Sequence, residues 1–132
     1  MEYKEFYSEL GKLLYAVAHS SGQVEEEEAK RLHALVKNYL VPQEKHNDEF
    51  GTDAAWYTEI GFDFSTFNDL DAKAAFDSFI DYVNEHHTAL DKQMRAVVLM
   101  LAEEVANSAN GLSVAEGKIL KELKDKLSRV DA

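Results

Sequence analysis

Two stretches decide the fold: Leu13-Leu14-Tyr15-Ala16-Val17-Ala18-His19-Ser20-Ser21-Gly22-Gln23-Val24-Glu25-Glu26-Glu27-Glu28, and Val105-Ala106-Asn107-Ser108-Ala109-Asn110-Gly111-Leu112-Ser113-Val114-Ala115-Glu116. Each runs from the apolar end of a helix through a turn of small residues to an aliphatic residue and a glutamate. A shift of 88 positions (116 − 28) lays Val17-Ala18 on Val105-Ala106, Ser20 on Ser108, Val24 on Leu112 and Glu28 on Glu116. The same shift pairs Phe6 with Met94, Leu10 with Val98, Leu13 with Leu101, Leu32 with Leu120 and Leu35 with Leu123. Agreement at the turn and its glutamate, beyond the apolar positions, reads as an internal repeat of one helix–loop–helix unit.

Outward from the turns, the apolar spacing is helical. Phe6, Leu10, Leu13, Leu14, Val17 and Ala18 form one face of a helix over residues 5–20. Gly22 can take the left-handed conformation that ends it. A second helix starts near Glu25, turns Ala29, Leu32, Leu35, Val36, Tyr39 and Leu40 to one side, and is expected to stop at Pro42. In the other copy, Asp91 opens a helix whose inward residues are Met94, Val97, Val98, Leu101, Ala102, Val105 and Ala106. Asn110-Gly111 breaks it. Ser113 with Glu116 then forms a capping box, and Leu120, Leu123 and Leu127 turn inward.

Between the hairpins the reading is less regular. Residues 43–53 are polar and acidic and read as a loop. Trp56 and Ile60 suit a short helix, whereas Ile60, Phe62 and Phe64 alternate as an extended piece would. Phe50, Trp56, Tyr57, Phe62, Phe64 and Phe67 are dense enough to be core packing or to line a ligand pocket. A further helix follows Asp69 or Asp71, with Phe76, Phe79, Ile80 and Val83 on its face, and fades at His86-His87-Thr88. The expectation is a single all-α domain over residues 1–132, a compact helical bundle of about five to seven helices. It has two pseudo-symmetric helix–loop–helix hairpins, residues 5–40 and 91–130, and a middle segment, residues 43–88, between them.

Composition bounds the rest. The 132 residues include one proline and six glycines, which suits long helices, and no cysteine, which excludes disulfides and thiolate chemistry. With 25 acidic and 14 basic residues the net charge is −11, a field that repels phosphate backbones and argues against nucleic acid. No stretch approaches the ~18 apolar residues of a membrane span, and the first residues lack a signal-peptide pattern. A cytoplasmic protein is expected.

The repeated stretch resembles the TerB-like (tellurite resistance protein B-like) helical domain family. Its motif is roughly an apolar helix ending in alanine, then Asp-Gly, one further residue, an aliphatic residue, and a glutamate opening the next helix. The resemblance covers about the first and the last 40 residues. It implies an all-helical fold without catalytic activity, an acidic surface that engages divalent cations, and a link to stress response. Glu28 and Glu116 match the family's glutamate. The family's aspartate is Ser21 in one copy and Asn110 in the other, and the second copy is one residue shorter between glycine and glutamate. A hard cation prefers several carboxylate oxygens, so these replacements make the cation secondary to a protein partner.

Glu25, Glu28 and Glu116 are the candidate metal residues, with a divalent cation as the candidate cofactor. The plainer reading of Glu25 to Glu28 is a solvated helix start whose carboxylates complement the helix dipole. His86, His87 and Asp91 have too few companions for a zinc site and read as a polar turn. Asp48 and Asp63 start no calcium loop, because Phe50 and Phe67 stand where oxygen ligands belong. No zinc-protease, phosphate-loop or nucleophile motif occurs, so no catalytic residue is assigned. The function expected is a non-catalytic binding module acting through a protein partner. The alternatives are a small-ligand binder or enzyme with an aromatic pocket around residues 56–67, and a structural, self-associating protein.

Overall fold

The computed structural model describes residues 3–20, 22, 24–43, 53–108 and 113–130. They form an all-α bundle. The helices are α1 (Tyr3–His19), α2 (Glu26–Leu35), α3 (Val41–Gln43), α4 (Tyr57–Phe67), α5 (Ala72–Glu85), α6 (Lys92–Ala106) and α7 (Val114–Ser128). A π-helical turn, Val36–Leu40, joins α2 to α3, and 3₁₀ turns at Ala54–Trp56 and His87–Ala89 precede α4 and α6. The Asn110-Gly111 break and Phe50 lie outside the described residues.

Helix α1 is the centre of the bundle. The expected face, Phe6 to Ala18, is buried, but so are Tyr7, Gly11, Tyr15 and Ala16 on the other side. α4, α5, α6 and α7 all pack on it. Two features of the sequence permit this. Tyr15 can be buried because its hydroxyl donates to the Leu70 carbonyl at 2.6 Å. Burial, followed by the charges of Asp69 and Asp71, pushes the phenol pKa up and keeps it a donor. Gly11 lets a second backbone come close. A Cβ there would stand 2.2 Å from the Thr58 carbonyl oxygen and 2.7 Å from the Phe62 nitrogen. Gly61 answers from α4, where a Cβ would stand 2.1 Å from the Ser8 carbonyl oxygen. The two glycines thus set a backbone-to-backbone crossing of α1 and α4.

The segment around residue 60 is helical. Its alternation of Ile60, Phe62 and Phe64 is that of a helix with Phe62 in the core and its neighbours outside. Pro42 does not stop the second helix as expected. Helical geometry continues through it to Gln43, after the chain has widened into the π turn, where the Val41 N–H bonds to the Val36 carbonyl. A proline crowds the preceding turn, and a locally widened helix relieves that crowding.

The remaining boundaries follow local chemistry. Asp71 caps α5 by accepting from Ala74 N–H at 3.0 Å, and Asp91 caps α6 by accepting from Met94 N–H at 2.7 Å. Asp69, the other candidate cap, sits in the turn with φ 47°, and Gly22 has φ 121°. The C-terminus of α7 is held by Arg95 of α6, which donates to the carbonyls of Leu127 at 2.8 Å and Val130 at 2.6 Å. A guanidinium fork adds charged donors to the last carbonyls of the helix, at the negative end of the dipole. The two hairpins meet through α1 with α6 and α7, and through α2 with α6. There, Arg31 and Glu104 form an exposed ion pair.

Because the α1–α4 crossing leaves no room for a methyl group, Gly11→Ala and Gly61→Ala should each destabilise the protein by about 1–3 kcal/mol or more. Urea denaturation checks this, with Ala16→Gly, a loss of one buried methyl, as a comparison for a core change that adds no atom.

Candidate functional site

The repeat fixes what faces what. Glu25 is extended, with φ −80° and ψ 150°, and starts α2; Ser113 is extended, with φ −77° and ψ 164°, and starts α7. At each start a glutamate three residues on reaches back. Glu25 N–H donates to Glu28 Oε1 at 2.8 Å, and Ser113 N–H donates to Glu116 Oε1 at 3.1 Å. Glu116 N–H in turn donates to Ser113 Oγ at 3.0 Å. Each carboxyl is therefore bent over its own helix start rather than extended into water.

Both are buried: Glu28 is 1% exposed and Glu116 3%. They lie against each other within hydrogen-bonding reach. The 88-residue shift that aligns them in sequence also pairs them in space. The expected solvated helix start holds for Glu26 and Glu27, which are exposed, and is overturned for Glu28. Glu28 is the one residue of the run that α7 covers with a carboxyl of its own.

Two carboxylates out of water and in contact cannot both carry charge. Burial is the largest of the causes that together push the Glu28 carboxyl up to about 8 from its ordinary 4.5. Its hydrogen bond with Glu116 and the charges of Glu116 and Glu25 act in the same direction, while the Glu25 N–H works the other way. Glu28 is thus protonated at neutral pH. Glu116 Oε2 is buried and has no hydrogen-bond partner among the described residues. A hydrogen bond between two carboxyls needs a proton on one of them, and Glu28 carries it. The pair is a shared-proton clasp between the start of one hairpin's second helix and the start of the other's.

A divalent cation could take the proton's place, and the donor set can be judged. Glu28 and Glu116 each have one oxygen occupied by a backbone N–H. Glu25, the third candidate, is partly buried beside them as the cap of α2. Among the described residues no group of three or more His, Asp or Glu side chains is placed to hold a metal ion. Calcium wants six to eight oxygens and magnesium six, so water would have to supply most of them. The residues fit a proton better than a hard cation.

The histidines go elsewhere. His86 ends α5 and stacks on Tyr82, with ring centroids 4.2 Å apart, while His87 is exposed and Asp91 caps α6. His33 Nδ1 meets Glu59 Oε1 at 2.7 Å and its Nε2 lies 3.6 Å from Asp63. This tie between α2 and α4 carried no signal in the sequence, since nothing in the spacing joins residue 33 to residue 59. The aromatic segment disperses. Phe62 packs edge-on against Tyr15 and His33 in the core, Trp56 is half-buried, and Phe64 and Phe67 face outward. Compared with protein-family models, curated proteins and solved structures, the chain matches none.

The raised pKa of Glu28 has a definite sign in stability. The folded state holds a proton that the unfolded state releases near pH 4.5, so this contribution is full below about pH 4.5 and is lost as pH rises through about 8. Glu28→Gln keeps the acceptor for Glu25 N–H and offers Glu116 an amide donor at every pH. It should therefore remove that part of the decline, leaving the variant more stable than the native chain at pH 9 by an amount on the order of a few kcal/mol. Chemical denaturation from pH 5 to 9 measures the difference.

Proposed function

We propose that this chain is a non-catalytic, cytoplasmic binding module of TerB-like type that acts through a protein partner, in a stress-response setting. The observation that carries the partner is the outer face of α4. Ile60, Phe64 and Phe67 are all exposed, at a spacing that puts them on one side of the helix. Large apolar side chains gathered on one exposed face mark interaction sites. The family resemblance draws support from the two turn glutamates, which match the family motif and meet in space.

Partner capture by proximity labelling in cells tests this. The native chain should label a defined set of proteins that Phe64→Ser/Phe67→Ser loses and that Val114→Ser, an exposed apolar residue on a different helix, retains. Equal labelling by the native chain and the α4 variant would remove the reading.

A divalent cation at Glu28 and Glu116 is the second reading, favoured by the buried, partnerless Glu116 Oε2. Calorimetric titration with calcium, magnesium, manganese and zinc at pH 8 decides it. Binding should release a proton and vanish in Glu28→Gln and Glu116→Gln. No heat at millimolar metal would sink it.

A further inference from the structure

Helix α4 has two unlike sides. Thr58, Gly61, Phe62 and Ser65 are buried, and the small ones among them allow the close crossing with α1. Ile60, Phe64 and Phe67 stand on the other side at i, i+4 and i+7, exposed by 54%, 54% and 89%. Single exposed apolar residues are ordinary on any protein. Three on one helical row, two of them phenylalanines, are a patch.

The chain segment that carries the patch has one sign. From Asp53 to Ala72 the chain carries Asp53, Glu59, Asp63, Asp69 and Asp71, and no lysine or arginine. Asp63 directly precedes Phe64, and Asp69 follows Phe67 by two residues; both are well exposed. His33 stands beside Glu59 and Asp63, and His19 beside Asp69. This pattern selects among occupants. A second copy brings the same carboxylates and the same net charge of −11, and an anionic membrane surface is repelled in the same way. A cationic partner gains on both counts.

We infer that the Ile60, Phe64 and Phe67 row of α4 docks an amphipathic helix of a partner protein, one whose apolar stripe is bordered by lysine or arginine. This rests on the reading that the chain works through a protein partner. An apolar row of two helical turns is matched by anchors at i, i+3 or i+4, and i+7 on the incoming helix. The long basic side chains at its borders lie along the rings and place their charged ends at Asp63 and Asp69. The apolar row supplies most of the affinity, and the carboxylates supply orientation and speed of encounter.

The probe is a synthetic amphipathic Leu/Lys peptide of about 18 residues, five helical turns, read by fluorescence anisotropy on the full chain. Its controls are the Leu/Glu counterpart and a Leu/Lys peptide of the same composition whose order destroys the apolar stripe. The native chain should bind the first and neither control. Phe64→Ser/Phe67→Ser should weaken binding about tenfold or more, and Asp63→Asn/Asp69→Asn should slow association and flatten the dependence on salt. Circular dichroism confirms that these surface variants fold. Equal binding of the disordered-stripe peptide, or of the α4 variant, would mean attraction by net charge alone and overturns the inference. So does equal binding of the Leu/Glu peptide, a dimer on light scattering that the Phe64/Phe67 variant dissolves, or binding to phosphatidylserine vesicles that the same variant abolishes. If proximity labelling depends on Phe64 and Phe67 but the Leu/Lys peptide does not bind, this inference fails and the partner reading stands. If neither depends on them, both fail.

Discussion

The bundle depends on how closely two backbones can approach. At the α1–α4 crossing, Gly11 and Gly61 each face a carbonyl of the opposite helix at a distance no side chain could tolerate. That contact lets α1 be covered on a side that its simple apolar stripe would leave open. Once α4 lies there, Tyr15 is enclosed and finds its acceptor in Leu70, and Phe62 completes the layer. α5, α6 and α7 pack around the other sides of the same helix. Close packing of this kind transmits displacement, because a core at crystal-like density has no slack to absorb it. The outward face of α4 is therefore carried on a rigid mount rather than on a loop.

Much of this architecture was legible in the residues. Helical spacing marked the helices, Asp91 and Ser113 marked two of their starts and Asp69 or Asp71 a third, and the 88-residue shift paired Glu28 with Glu116. The second buried face of α1 was not legible. Tyr7, Gly11, Tyr15 and Ala16 do not score as an apolar stripe, and their burial comes from partners far along the chain. Pro42 was misleading for a related reason. Its effect on a regular helix is local and fixed, but the chain changed the helix, widening it to a π turn. Ile60, Phe64 and Phe67 announced themselves as aromatic and aliphatic density, which is more often core than surface; only the side of the helix taken by Gly61 decides that they face out.

The candidate site divides in the same way. A glutamate three residues after a helix start is a local signal, and both Glu28 and Glu116 obey it with their bonds to Glu25 N–H and Ser113 N–H. Their burial against each other is a property of the assembled hairpins. It converts two ordinary helix starts into a low-dielectric acid pair, and it accounts for the proton more readily than for a hard cation.

The reach-back bonds have one more consequence. Each carboxyl is anchored to its own backbone, so neither can swing to relieve the other when the hairpins shift. The distance between them is then set by the relative placement of α2 and α7 alone, and Coulomb energy in a poorly screened interior changes steeply with distance. The raised affinity of Glu28 for its proton is thereby a property of how the two hairpins seat against each other, not of either helix start alone.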